Sequence, residues 1–253
     1  RDPEMSRGLG DVYKRQIERR TIMKLSNFVS KEPRALPVFI LADTSGSMMG
    51  AKINELNLAL RQMVSEFQNV DEIRGKFQLS IITFGPIVQV IQPLADIEGI
   101  QLKELTAGGR TPMGAAFETV SAMIEDKLVV SSRSYTPTIV LVSDGVPTDC
   151  PTKYHSLGDY SEWNALNELK NGERSRKCQR LALAIGDDAD VKMLREFIGN
   201  AETPLIKAHN VQGISKFFKW VTMSTIARMS SVNPDIVQPT NVVFDIEDED
   251  III

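Results

Sequence analysis

The chain has 253 residues, 42% of them hydrophobic and 25% charged, with a formal net charge of −4. That hydrophobic share fills one large core, and 29 Lys and Arg against 33 Asp and Glu leave none of the cationic surplus that a phosphate backbone demands, so nucleic acid is disfavoured as a partner. No apolar run approaches the roughly 20 residues of a membrane span, so no membrane is expected either.

Residues 1–16 have no hydrophobic periodicity, and Asp11-Val12-Tyr13-Lys14-Arg15-Gln16 resembles translated sequencing-adapter sequence. Residues 1–22 are read as a non-native or disordered leader and Met23 as the start, and the layout of a signal peptide is absent. The only cysteines, Cys150 and Cys178, have neither zinc spacing nor the density of a disulfide scaffold. Two free thiols and a cytoplasmic location are expected.

The apolar run Pro37-Val38-Phe39-Ile40-Leu41 leads into Ala42-Asp43-Thr44-Ser45-Gly46-Ser47 and an amphipathic segment from Ala51, which reads as strand, tight loop, helix. Asp43, Ser45 and Ser47 alternate, so in an extended loop all three face one side, where a small hard cation could be held. Ile53, Leu56, Leu60, Met63, Val64 and Phe67 then recur at helical spacing. Phe77–Phe84 reads as a strand, Gly85-Pro86 breaks it, and Ile87–Ile91 reads as its hairpin partner at the sheet edge. A second long helix carries Met113, Phe117, Val120, Ile124 and Leu128, opened by Gly108-Gly109-Arg110-Thr111-Pro112.

Thr138–Val142 is the most strand-like run, and it passes into Ser143-Asp144-Gly145, so a second Asp stands at the carboxyl end of a buried strand. Cys150 to Asn171 turns polar and irregular, with a short helix suggested by Trp163, Leu166 and Leu169. A strand over Leu181–Gly186, a helix over Val191–Ile198, a strand over Leu205–Ala208 and a helix carrying Ile214, Phe217, Phe218, Val221, Ile226 and Met229 complete residues 23–230, read as one domain. The fold class expected is α/β: a doubly wound, mostly parallel six-stranded sheet with one antiparallel edge strand and helices on both faces. Such sheets place their sites at the carboxyl ends of the strands, where Asp43 and Asp144 stand. Residues 231–253 read as an acidic tail through Glu247-Asp248-Glu249-Asp250, poorly ordered without a partner.

The set Asp43-Thr44-Ser45-Gly46-Ser47, Thr111 and Asp144-Gly145 resembles the metal-ion-dependent adhesion site (MIDAS) of von Willebrand factor A domains. Leu36-Pro37-Val38, the Gly108–Pro112 loop and Ser143-Asp144-Gly145-Val146-Pro147-Thr148-Asp149 are most similar to the bacterial TerY-like (YegL-like) stand-alone domains, some of them in stress-response gene clusters with kinases and phosphatases. The resemblance implies that Ser45, Ser47 and Thr111 donate oxygens to a divalent cation while Asp43 and Asp144 bind it directly or through water. Mg2+ is the implied metal, with Mn2+ and Ca2+ as alternatives. Two carboxylates neutralise a dication without filling six positions, so a partner protein's Asp or Glu completes the shell. Gly46, Met48, Arg110, Pro112, Val146, Asp149 and His155 are expected at the partner-binding rim.

Asp149 is read as a support for the third loop rather than as a ligand, and Thr111 could equally cap the following helix. Cys150 has no histidine placed to activate it and is read as a bystander thiol. His155 is read as a solvated loop residue, and Lys170, Arg174, Arg176, Lys177 and Arg180 as a solvated helix end. A non-enzymatic interaction module is the favoured function. The alternatives are a metal-assisted phosphoester hydrolase, for which no general base or second metal site is evident, and an adaptor for a chaperone ATPase. Glu247 to Asp250 could also enter another copy's metal site and cause weak self-association.

Overall fold

The structure is a computed structural model that describes residues 33–70, 75–236 and 251–252. It divides into residues 1–33, of which only Pro33 is described, and residues 34–253. The leader at 1–22 and the acidic run at 247–250 lie outside the described residues.

Alternation along one strand sets the layers. β1 (Arg34–Asp43) sends Leu36, Val38, Ile40 and Ala42 into one core and Phe39 and Leu41 into another. A strand apolar on both faces must be covered on both, and helices do so here. β2 (Gly75–Phe84) and β4 (Thr138–Ser143) flank β1 in parallel, β5 (Gln179–Ile185) and β6 (Leu205–Ala208) extend the sheet beyond β4, and β3 (Val88–Asp96) pairs antiparallel with β2 at the edge. The mostly parallel sheet with an antiparallel edge hairpin is the expected one. Ile251–Ile252, as β7, adds a two-residue antiparallel rung to β6.

α1 (Ala51–Gln68) and α6 (Gln212–Ser230) bury their apolar stripes on one face of the sheet. α2 (Met113–Glu125), α4 (Asn164–Asn171) and α5 (Val191–Ile198) cover the other, where Phe117 stacks on Phe197 and meets Trp163. No described helix is long and apolar enough to cross a membrane.

The structure departs from the sequence reading in several places. α2 stops at Glu125, and Leu128, assigned to its apolar stripe, is 95% exposed while Val130 is buried in its stead. The stop has an outside cause: the Arg174 guanidinium takes the carbonyls of Ile124 and Val130, and the Glu125 carboxylate accepts the backbone N–H groups of Arg174 and Ser175. The segment from Cys150 to Asn171 holds two helices, α4 and the six-residue α3 (Thr152–Leu157), packed over buried Tyr160 and Trp163. The loop after Asp43 is not extended; Gly46–Met48 forms a 3-10 turn.

The basic cluster is largely structural. Lys170 pairs with Glu196, Arg180 Nε donates to the Phe197 carbonyl, and Arg174 is used as just described, leaving Arg176 and Lys177 exposed. Arg228 of α6 is buried at the amino end of β4 and donates to the carbonyls of Pro234 (2.7 Å) and Thr136 (2.6 Å) and to Thr138 Oγ1 (3.0 Å). Burial lowers its pKa to about 10, still far above neutrality. Arg228→Met keeps the bulk and removes these charge-assisted bonds, leaving buried carbonyls unpaired. Denaturant unfolding is expected to show a loss of about 2–4 kcal/mol.

Candidate metal centre

From β1 the chain crosses to β2 on one side, and β4 later pairs with β1 on the other. The carboxyl ends of β1 and β4 therefore bound the crevice where strand order reverses, the place where open α/β sheets bind ligands. Asp43 is the last residue of β1, and Asp144 immediately follows β4. Both are buried, at 0% and 1% exposure.

Each carboxylate is held on both oxygens. Asp43 Oδ1 accepts from the Ser45 backbone N–H at 2.8 Å and Oδ2 from the Ser143 hydroxyl at 2.6 Å. Asp144 Oδ1 accepts from the Ser47 hydroxyl at 2.7 Å, and Oδ2 from Lys52 Nζ at 2.5 Å. The 3-10 turn brings Ser45 Oγ and Ser47 Oγ to 3.0 Å, so the two hydroxyls converge through a turn rather than by strand alternation.

The second loop is tied to the first by backbone bonds, Gly46 N–H to the Gly109 carbonyl (3.1 Å) and Gly108 N–H to the Thr44 carbonyl (2.8 Å). Gly109 is required here. Its φ is +74°, and a Cβ would stand 2.6 Å from Pro86 Cα, so any side chain would be strained and would push the second loop off the Gly85-Pro86 turn. Thr111 and Thr148 exchange two bonds, Thr111 N–H to Thr148 Oγ1 (3.2 Å) and Thr148 N–H to the Thr111 carbonyl (2.9 Å), which join the second loop to the third. Thr111 Oγ1 lies 3.7 Å from where a Cβ on Gly145 would stand, next to Asp144. Thr111 does not cap α2. Asp149 does, accepting from the N–H groups of Gly114 (3.0 Å) and Ala115 (2.9 Å).

Three contributors escaped the sequence reading. Buried Asn57 of α1 clamps the second loop, donating from Nδ2 to the Leu105 carbonyl (2.9 Å) and accepting from its N–H (2.8 Å). An amide at a core-facing position of an apolar stripe was the available signal. Ser143 supports Asp43, and nothing local marks it. Lys52 was legible as a cation in the first turn of a helix, where the dipole disfavours it.

Of the residues expected at the rim, Arg110, Val146 and Asp149 are exposed and Gly46 and Pro112 half-buried. Met48 is instead wholly buried in the core, because the 3-10 turn rolls it inward, and the neighbouring Met49 stands exposed. His155 turns its Nδ1 to the Tyr160 hydroxyl at 2.9 Å, and that hydroxyl also bonds Asp190, the N-cap of α5. Both cysteines are buried free thiols. Burial and nearby Asp149 and Asp190 push the Cys150 thiol up to about 11, so at neutral pH it is a thiol and not a nucleophile.

The five residues Asp43, Ser45, Ser47, Thr111 and Asp144 offer only oxygen donors, with two buried carboxylates among them, a set suited to a hard divalent cation. Among the described residues no three of His, Cys, Asp and Glu converge, so softer metals have no competing cluster there. Burial, aided by the charge of Asp144, raises the Asp43 pKa from 3.8 to about 6 despite the bonds from Ser143 and Ser45. The folded, metal-free chain therefore holds this proton more tightly than the unfolded one. The resulting stabilisation is full below pH 3.8 and is lost as pH rises through about 6. Asp43→Asn removes that dependence: its stability relative to the parent, measured by thermal unfolding of metal-stripped protein, should rise between pH 4 and pH 7 by up to about 3 kcal/mol.

Residues 38–146 match the family model of the von Willebrand factor type A domain. No curated protein is significantly similar in sequence. Solved structures share the fold. The ArnB paralog VWA2 of Sulfolobus acidocaldarius aligns at a TM-score of 0.54 and 18% identity over 79% of this chain and 46% of that one. A von Willebrand factor type A protein of Catenulispora acidiphila aligns at 0.55 and 16%, over 76% of this chain and 42% of that one. Proximal thread matrix protein 1 of the mussel byssus, solved with a zinc-occupied MIDAS motif, aligns at 0.54 and 15%, over 76% and 48%. The chain thus spans less than half the length of each of these structures. The match to the von Willebrand factor type A model across residues 38–146 and the shared fold of these solved structures point the same way.

Proposed function

We propose that this domain is a metal-dependent protein-protein interaction module in which Asp43, Ser45, Ser47, Thr111 and Asp144 hold Mg2+, with Mn2+ or Ca2+ as alternatives. The observation that carries the reading is the meeting of two buried carboxylates and three hydroxyl side chains from three loops at the point where the strand order reverses. The mussel byssus protein of the same fold holds zinc in its MIDAS motif, which supports a metal at this end of the sheet. The bound cation would supply a Lewis-acidic position open to one more oxygen ligand, an Asp or Glu of the partner.

The chain's own residues fit that task. Asp43 and Asp144 balance a dication, while Ser45, Ser47 and Thr111 are neutral and leave it electrophilic. Asp149 fixes the start of α2 beside the third loop. Exposed Met49, Ile87 and Val146 flank the loops and give a partner apolar contact around a polar centre. A setting in a bacterial stress-response or phosphorylation-linked system rests on the likeness of the three loops to TerY-like domains.

Calorimetric titration of metal-stripped protein with Mg2+ and with Mn2+ tests the reading. Binding is expected for the parent and should be lost in Asp43→Ala. A short peptide bearing one Glu should bind only when metal is present. Metal binding that survives Asp43→Ala, or peptide binding indifferent to metal, would overturn it.

A further inference from the structure

The first turn of α1 breaks a local rule. Helix N-termini favour acidic side chains, yet this turn carries Lys52 and no acidic residue. Compensation comes from across the site, 92 residues away, where Lys52 Nζ lies 2.5 Å from Asp144 Oδ2. The Asp144 side chain is 0% exposed and that of Lys52 is 32% exposed. The carboxylate is thus locked in the interior, while the ammonium stands at the end of a stem that reaches solvent.

The bonding of Asp144 gives Lys52 its role. Ser47 donates to Oδ1, a neutral hydroxyl bond that leaves the charge uncompensated, and among the described residues Lys52 brings the positive charge in contact with Oδ2. A buried carboxylate without a counter-charge is costly, and the buried Asp43 carboxylate at the end of the adjacent strand adds repulsion. Two negative groups therefore face a single tethered cation.

We propose that Lys52 is the built-in counter-ion of this site: it holds Asp144 in the metal-free protein, lowers the site's affinity for a divalent cation by competing for that carboxylate, and withdraws toward solvent when the cation is bound. The inference rests on the metal-site reading above. A purely structural ion pair would stabilise the fold and leave metal affinity unchanged, so the two roles separate experimentally.

The first arm needs no metal. In metal-stripped protein, Lys52→Met should lower the thermal midpoint by several degrees, and the same change in an Asp144→Asn background should have little effect; additive effects would overturn the pairing. The second arm is titration of Mg2+ and of Mn2+ alone at neutral pH. Lys52→Met should bind about tenfold more tightly than the parent, and Lys52→Arg, which keeps the charge, should stay near the parent affinity. Equal or weaker binding by Lys52→Met, with the parent binding normally, would overturn the counter-ion role alone. Absence of binding in the parent and in Lys52→Met alike would overturn the metal reading, and the competitive role with it.

Discussion

Two carboxylates with almost no access to water, carried at the ends of adjacent parallel strands, are the constraint on which the rest of this fold's active end depends. β1 and β4 are buried on both faces, so whatever follows their last apolar residue emerges from a dry interior. Asp43 and Asp144 emerge there. Ionised carboxylates in such a place are tolerated only with charge-assisted bonds on their oxygens, and Ser45 N–H, Ser143, Ser47 and Lys52 supply them. Asp43 still has its pKa displaced upward, because burial disfavours its charged form and the charge of Asp144 adds to that despite these bonds. The cation site proposed above answers that deficit.

The loops bearing the hydroxyls are held by the scaffold rather than by one another alone. Asn57 pins the stretch before the second loop onto α1 through two amide bonds that imitate a strand pairing. Asp149 closes the start of α2, and Gly114 makes that approach feasible, since a Cβ there would stand 2.7 Å from Trp163 Cζ2 and 3.0 Å from Asp149 Oδ2. Trp163 in turn packs on Phe117 in the core beneath. Positions near the candidate metal are thus tied through side chains to both helical layers, which is how a loop-built site acquires fixed geometry.

The strands were legible because a strand buried on both faces has a local signature, a continuous apolar run, and Asp43 and Asp144 were legible because each closes such a run. What stayed hidden depended on partners far away in sequence. Arg174, 49 residues beyond Glu125, ends α2 by taking the Ile124 carbonyl and holding the Glu125 carboxylate, whereas periodicity alone carries the helix on to Leu128. Ser143 differs from any serine at a strand end only in having Asp43 opposite. Met48 is next to Ser47 and suggests a rim residue; one 3-10 turn places it in the core and lifts Met49 to the surface. In each case the missing information is a tertiary contact that overrides a local pattern.

Polar groups are buried at both ends of the sheet, but to different effect. At the amino ends, Arg228 reaches into the start of β4 and the Arg174 loop precedes β5, and their donors end on backbone carbonyls of Thr136, Pro234, Ile124 and Val130. These are closed arrangements: carbonyls that would otherwise be unpaired are satisfied, and Arg228 remains protonated by a wide margin. At the carboxyl ends the buried groups are carboxylates and hydroxyls, acceptors in excess of strong donors, with a single ammonium drawn in against the helix dipole to balance them. A fold needing only stability could have ended both strands with the first kind of arrangement. The acceptor-rich end carries a demand for positive charge, and that asymmetry between the two ends of one sheet supports the site proposed at the crevice between β1 and β4.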